Sequence, residues 1–202
     1  MDMQGIYQGV LKILNADRFG NLLTKHDGGS YDAAVERGNV YGVANQSGVT
    51  SQAGLSLTTP VLTLYNPAGS TKNLRVWYVG ASMDVANATV STLLVAVGAN
   101  TIAAAVTGTL TTAHRNMKMG LASSPVARTF LAATLPAAPV AIAILGAWNT
   151  AATTAGQAIP ALSRWFNGAL ILTPGTNLSV QTSAASGTSG LWCDYIWEEV
   201  DY

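Results

Sequence analysis

The side chains that carry hydrolytic, nucleophilic or metal chemistry are scarce in this chain: two histidines, one cysteine and ten acids among 202 residues. His26 stands in Lys25-His26-Asp27-Gly28-Gly29-Ser30 and His114 in Thr112-Ala113-His114-Arg115-Asn116. Neither has a His, Cys or carboxylate at a ligand spacing such as i+4, so both read as loop histidines. Cys193 is the single cysteine, which rules out an intrachain disulfide and a cysteine-built metal cluster. It lies in the apolar run Leu191-Trp192-Cys193-Asp194-Tyr195-Ile196-Trp197, where a buried, inert thiol is expected.

Acid chemistry fares no better. Hydrolysis by paired carboxylates needs two acids converging from separate positions, and the one dense group is Asp194, Glu198, Glu199 and Asp201 at the end of the chain. A solvated exit is the expected role there. No Gly-x-Ser-x-Gly elbow with His and acid partners emerges, and the glycine pairs miss the dinucleotide and P-loop spacings. The chain is therefore expected to be no enzyme and to carry neither cofactor nor metal. The aromatic residues Trp77, Tyr78, Trp148, Trp165, Phe166, Trp192 and Trp197 could line a carbohydrate platform. Core and interface anchoring is the favoured role, because indole buries a large area with little entropy loss.

Charge narrows the partners. Lys plus Arg and Asp plus Glu number 10 each, and charged residues make up 10% of the chain, against roughly 25% in an average globular protein. A free monomer usually keeps its surface solvated with charge, so this deficit points to an exterior covered by neighbouring subunits. Zero net charge, with the basic residues scattered, argues against nucleic acid, whose phosphates demand clustered Lys and Arg. The apolar stretch from Phe130 to Trp148 contains Pro136 and Pro139. A buried strand over Val140 to Leu145 after a turn fits it better than a helix in lipid, so no membrane partner is expected. Met1 to Val10 lacks the basic and apolar regions of a secretory signal.

The elements that would position these residues are mostly strands. Residues 1–56 read as an N-terminal arm and crossing segment, and 57–202 as the body. In the arm, Ile6, Val10, Ile13 and Leu14 recur near helical spacing, but Gly5, Gly9 and Gly20 weaken a helix, which leaves an extended or partly helical arm. The polar passage from Tyr31 to Ser56 would lie across the body or a neighbour. Thereafter Leu57 to Asn66, the turn Asn66-Pro67-Ala68-Gly69-Ser70, and Leu74 to Val79 suggest a hairpin. Further strands are expected at 89–97, 101–106, 127–132, 140–148, 168–173, 178–182 and 191–200. Their number and spacing suit an all-β antiparallel sandwich. Leu178, Val180 and Thr182 alternate with Ser179 and Gln181, and Leu191, Cys193, Tyr195 and Trp197 alternate with Trp192, Asp194, Ile196 and Glu198. Because both faces of that last strand carry aromatics, its own core should cover one and a second subunit the other.

Leu64-Tyr65-Asn66-Pro67-Ala68-Gly69-Ser70 followed by Leu74-Arg75-Val76, together with Leu172-Thr173-Pro174-Gly175 through Trp197-Glu198-Glu199-Val200, resembles structural proteins encoded beside the capsid genes of tailed bacteriophages. The likeness spans about residues 55 to 202. It implies a jelly-roll-like sandwich on a virion assembled in the host cytoplasm, acting as a capsid cement or decoration protein. Its partners would be the major capsid protein and other copies of itself, often as a trimer. Attachment would then run through the arm residues Leu11, Ile13, Leu14, Phe19, Leu22 and Leu23, with Trp192 and Trp197 at a capsid or subunit interface. The alternative reading is a receptor-binding or glycan-binding head or tail fibre protein, and a third is a β-sandwich hydrolase acting on polysaccharide.

Overall fold

The computed structural model describes residues 3–7, 10–14, 31–84, 89–99, 105–148, 161–185 and 190–201. It divides into two units, Met1–Ala33 and Ala34–Tyr202. The first contains an antiparallel pair, β1 (Met3–Tyr7) and β2 (Val10–Leu14), in which Ile6 faces Leu11 and Gln4 faces Ile13 across the ladder. The extended alternative therefore holds for these residues and the partly helical one does not. Ile6, Tyr7, Val10 and Ile13 are β-branched or aromatic types that suit a pleated ladder.

The second unit begins in a short helix, α1 (Asp32–Glu36), within which the division between the units falls. Its strands are β3 (Val40–Ala44), β4 (Leu62–Tyr65), β5 (Lys72–Met83), β6 (Ser91–Ala99), β7 (Thr107–Thr111), β8 (Arg115–Asn116), β9 (Arg128–Thr134), β10 (Val140–Trp148), β11 (Leu162–Leu172), β12 (Thr176–Thr182) and β13 (Leu191–Asp201). They form a β-sandwich of two antiparallel sheets. One is six-stranded in the order β10-β6-β12-β4-β9-β7, the other five-stranded in the order β11-β5-β13-β3-β8. Because β3 pairs with β13 over Val40 to Ala44, residues 34–56 belong to the body, and the boundary lies earlier than the expected 56/57.

Alternation decides the core. Leu62 and Leu64 from β4, Leu93 and Val95 from β6, and Leu178 and Val180 from β12 meet Leu74, Val76, Val79, Ala81 and Met83 from β5, and Leu191, Cys193, Tyr195 and Trp197 from β13. Each fully buried aliphatic or aromatic side chain contributes roughly 1.5–3 kcal/mol. A smaller cluster, Tyr65, Val106, Phe130, Ala133 and Leu135, includes the alternate residue Tyr65 next to the core residue Leu64, with the Tyr65 and Phe130 rings 6.4 Å apart.

The hairpin expected around Asn66-Pro67-Ala68-Gly69-Ser70 is not formed. That turn carries the chain from β4 in one sheet to β5 in the other, and the turn at Thr173-Pro174-Gly175 likewise joins β11 to β12 across the sandwich. Asn66 fastens the two crossings together. Its Nδ2 donates to Lys72 O at 2.8 Å and Leu172 O at 2.9 Å, while its backbone accepts from Gly175 N and donates to Thr176 O. Turn-forming residues fix the local reversal but not whether its two arms share a ladder.

Tyr195 spans the core in the same way. Its hydroxyl donates to Leu62 O at 2.6 Å and accepts from Val180 N at 3.1 Å, so two backbone groups of the opposite sheet are satisfied by a side chain of β13. Ser179 and Gln181, on the face of β12 opposite Leu178 and Val180, are buried as well. The Gln181 carboxamide accepts from Ser56 N and donates to Ser179 Oγ, and Thr182 Oγ1 donates to Gln52 O, which holds the 51–58 segment against β12.

Candidate functional site

The outer face of the five-stranded sheet carries the most chemically suggestive arrangement among the described residues. On β13 the core takes Leu191, Cys193 and Tyr195, so Trp192, Asp194 and Ile196 project outward. Asp194 stands between two small neighbours, Gly80 on β5 and Ala44 on β3, and Trp192 stands opposite Ser82. On the far side of β5, Ser163 faces Gly80 and Trp165 faces Tyr78. The small residues leave a hollow of about 230 Å³, lined by Ala44, Ser82, Ala161, Trp192 and Asp194, with Ala81 and Cys193 completing it.

Gly80 is required by close approach. A Cβ there would strike Asp194 Oδ1 and Tyr78 Oη, which both lean over it. The Trp192 indole N–H donates to Asp84 Oδ2 at 2.9 Å, which fixes the ring at one end of the hollow. On the far side of Gly80, Tyr78 packs edge-on against Trp165, ring centroids 4.9 Å apart at 60°, and Trp165 is 53% exposed. Asp194 accepts no hydrogen bond among the described residues, and burial raises its carboxyl above the usual carboxylate range. A partly desolvated acid with no donor among the described residues, beside Trp192 in a hollow, is the arrangement that makes this face the candidate site.

Glu199, five residues along the same strand, is its opposite. It is buried, and its carboxylate accepts from Val126 N at 3.0 Å, Ala127 N at 2.9 Å and the Trp197 indole N–H at 3.4 Å. It thereby ties β13 to the start of β9 in the facing sheet. Glu198 is also buried and accepts from Arg37 Nη2 at 3.2 Å. The solvated acidic exit expected of this segment is thus reduced to Asp201, exposed and paired with Lys72 at 2.6 Å. Local sequence holds little sign of this, because the Val126, Ala127 and Arg37 donors come from residues more than seventy positions away.

Of the expected interface residues, Leu11, Ile13 and Leu14 have their backbone in β2, and nothing is described of their side chains; Phe19, Leu22 and Leu23 lie outside the described residues. Trp192 is half-buried on the outer face, where a ligand or subunit can reach it. Trp197 is no interface residue. It is wholly buried and stacks on Tyr41, centroids 5.9 Å apart, because it shares the inward face with Tyr195. Cys193 is buried too, and desolvation pushes its thiol far up, as an inert core cysteine requires. His26 lies outside the described residues. No group of three His, Cys, Asp or Glu side chains among the described residues could hold a metal ion.

A second surface is the sheet edge at β10. The sequence suggested a buried strand here, but β10 is the last strand of its sheet, with Val140 63%, Ile142 45% and Ile144 66% exposed. From Val140 to Trp148 it carries no charged residue. Beside it, Leu94, the residues Ala141 to Ile144 and Arg164 of β11 line an open groove of about 520 Å³. No described helix is long and apolar enough to cross a membrane. Compared with protein-family models, curated proteins and solved structures, the chain finds no significant match in any of the three.

Proposed function

We propose that this chain is a structural component of a virus particle: a cement or decoration protein that binds and stabilises the capsid exterior as a homo-oligomer, with the major capsid protein as its partner. The observation that supports the reading best is the β10 edge. A long, uncharged strand with three large aliphatic residues turned to solvent is a liability in a free monomer, and natural sheets blunt such edges with charge, proline or cover. Assembly supplies the cover. The charge content of 10% extends the same reasoning to the whole surface.

In this reading the body is a rigid block and the N-terminal arm reaches onto neighbouring capsid proteins. Several arm contacts in one oligomer act together, so modest apolar anchors such as Leu11, Ile13 and Leu14 give durable attachment. Deletion of residues 1–24 tests this. The shortened chain should fold, assemble with itself and lose binding to capsids; undiminished binding would refute attachment through the arm, and a full-length chain that stays monomeric at high concentration without affinity for any shell would refute the reading altogether.

A further inference from the structure

We propose that the hollow beside Asp194 is a pyranose-binding subsite, in which Asp194 and Ser82 bond to neighbouring sugar hydroxyls while the Trp192 indole packs against the sugar. The site does not depend on where the protein resides.

Four features of the hollow select this ligand. Its volume of about 230 Å³ lies below the range of roughly 300–1,000 Å³ that drug-sized ligands occupy, which suits a single six-membered ring. Its polar groups sit where a ring would meet them: Asp194 and Ser82 both line the hollow from successive outward-facing rungs of the ladder, with Ser82 opposite Trp192. A carboxylate with no donor among the described residues can accept from two adjacent hydroxyls, and charge-assisted bonds of this kind are roughly twice as strong as neutral ones. Finally, the indole lines the hollow and is held in place by its bond to Asp84, so a ligand packing against it pays little for ring ordering.

Other ligand classes fit less well. A metal ion would find one carboxylate where it needs several ligands. A phosphate would meet Asp194 and no cation lining the hollow. A quaternary ammonium would want ring faces on several sides, whereas Tyr78 offers its hydroxyl over Gly80 and is engaged by Trp165 through an edge contact.

The test is to titrate the full-length chain with methyl pyranosides of glucose, galactose, mannose, rhamnose and N-acetylglucosamine, following tryptophan fluorescence and amide NMR shifts. At least one should saturate with a Kd on the order of 1 mM, the range of a single small subsite. Asp194→Asn, which keeps the shape, should weaken that binding by about tenfold or more without lowering the thermal midpoint. Gly80→Ala should block it, and if that variant does not fold, Ser82→Val serves as the second probe. Absence of saturation by every pyranoside up to tens of millimolar would overturn the proposal. So would binding unchanged in both Asp194→Asn and Ser82→Val, or saturation by tetramethylammonium in place of the sugars. Capsid binding by the Asp194→Asn protein would remain as in the native chain, which separates this site from the attachment proposed above.

Discussion

Two stretches of β13 treat their acids in opposite ways. Around residues 197–199, Trp197 fills the core and Glu199 accepts three N–H donors, so every polar atom brought inside has a use in holding the sheets together. Around residues 192–194, Asp194 is half-desolvated yet unbonded among the described residues, beside a hollow of about 230 Å³. One strand thus contains a latch and a vacancy. The difference separates residues that make the fold from residues that the fold makes available, and measurements on each should diverge in sign as well as in size.

The largest effect is expected at the latch's apolar half. Trp197→Ala should cost about 3–5 kcal/mol in denaturant unfolding, because the cavity sits where both sheets and Tyr41 converge. A loss below about 1 kcal/mol would mean that Trp197 does not anchor the core. Next, Glu199→Ala leaves Val126 N–H, Ala127 N–H and the Trp197 indole N–H without their acceptor, for an expected cost of about 2–3 kcal/mol. Amide exchange at residues 126 and 127 should quicken at the same time. If it does not, the carboxylate is not what holds that segment.

The vacancy should behave in reverse. Burial raises the Asp194 pKa in the folded chain, so the native state holds its proton more tightly than the unfolded state does. Between the ordinary carboxylate value and that raised one, stability therefore falls as pH rises, and the charged form is the costly one at neutral pH. Asp194→Asn should flatten this part of the stability-versus-pH curve and leave the protein at least as stable as the native chain at pH 7, as urea melts at several pH values can check. A marked destabilisation would place Asp194 with Glu199 as a structural acid. The smallest change in subunit stability belongs to the β10 edge: Ile144→Lys, at a 66% exposed position, should stay within about 0.5 kcal/mol of the native chain. Its effect should appear in sedimentation, as a shift toward smaller species. An unchanged distribution would remove β10 from the assembly surface.

Much of this was legible from local pattern. The strict alternation of Leu178, Val180 and their polar neighbours, and of Leu191 through Trp197, gave strands whose inward residues are those found in the core. The strand at Val140 to Trp148 has its bounds as read from the sequence. What was misread involved partners. Val40 to Ala44 looked too polar in its surroundings to be a sheet strand, yet β13 on one side and β8 on the other pair with it. Alternation alone left open what covers Ser179 and Gln181, and they are buried because the 51–58 segment returns over them. For the candidate site, Trp192 was singled out, while Asp194 was read as part of an acidic exit; nothing near it in sequence reveals that Gly80 and Ala44 would flank it.

By itself, then, the sequence determined that the body is built of strands, which residues of each strand look inward, and how little charge the surface has to offer. Side-chain period and composition are local quantities, and they survive whatever the strands pair with. Only the tertiary structure decided that the Asn66 turn crosses between sheets, that β10 lies at the edge of its sheet, and that one acid of β13 is locked while another has no donor among the described residues. Each of those outcomes depends on which distant strand supplies the neighbour, and register between strands far apart in the chain is settled by the packing of the whole core.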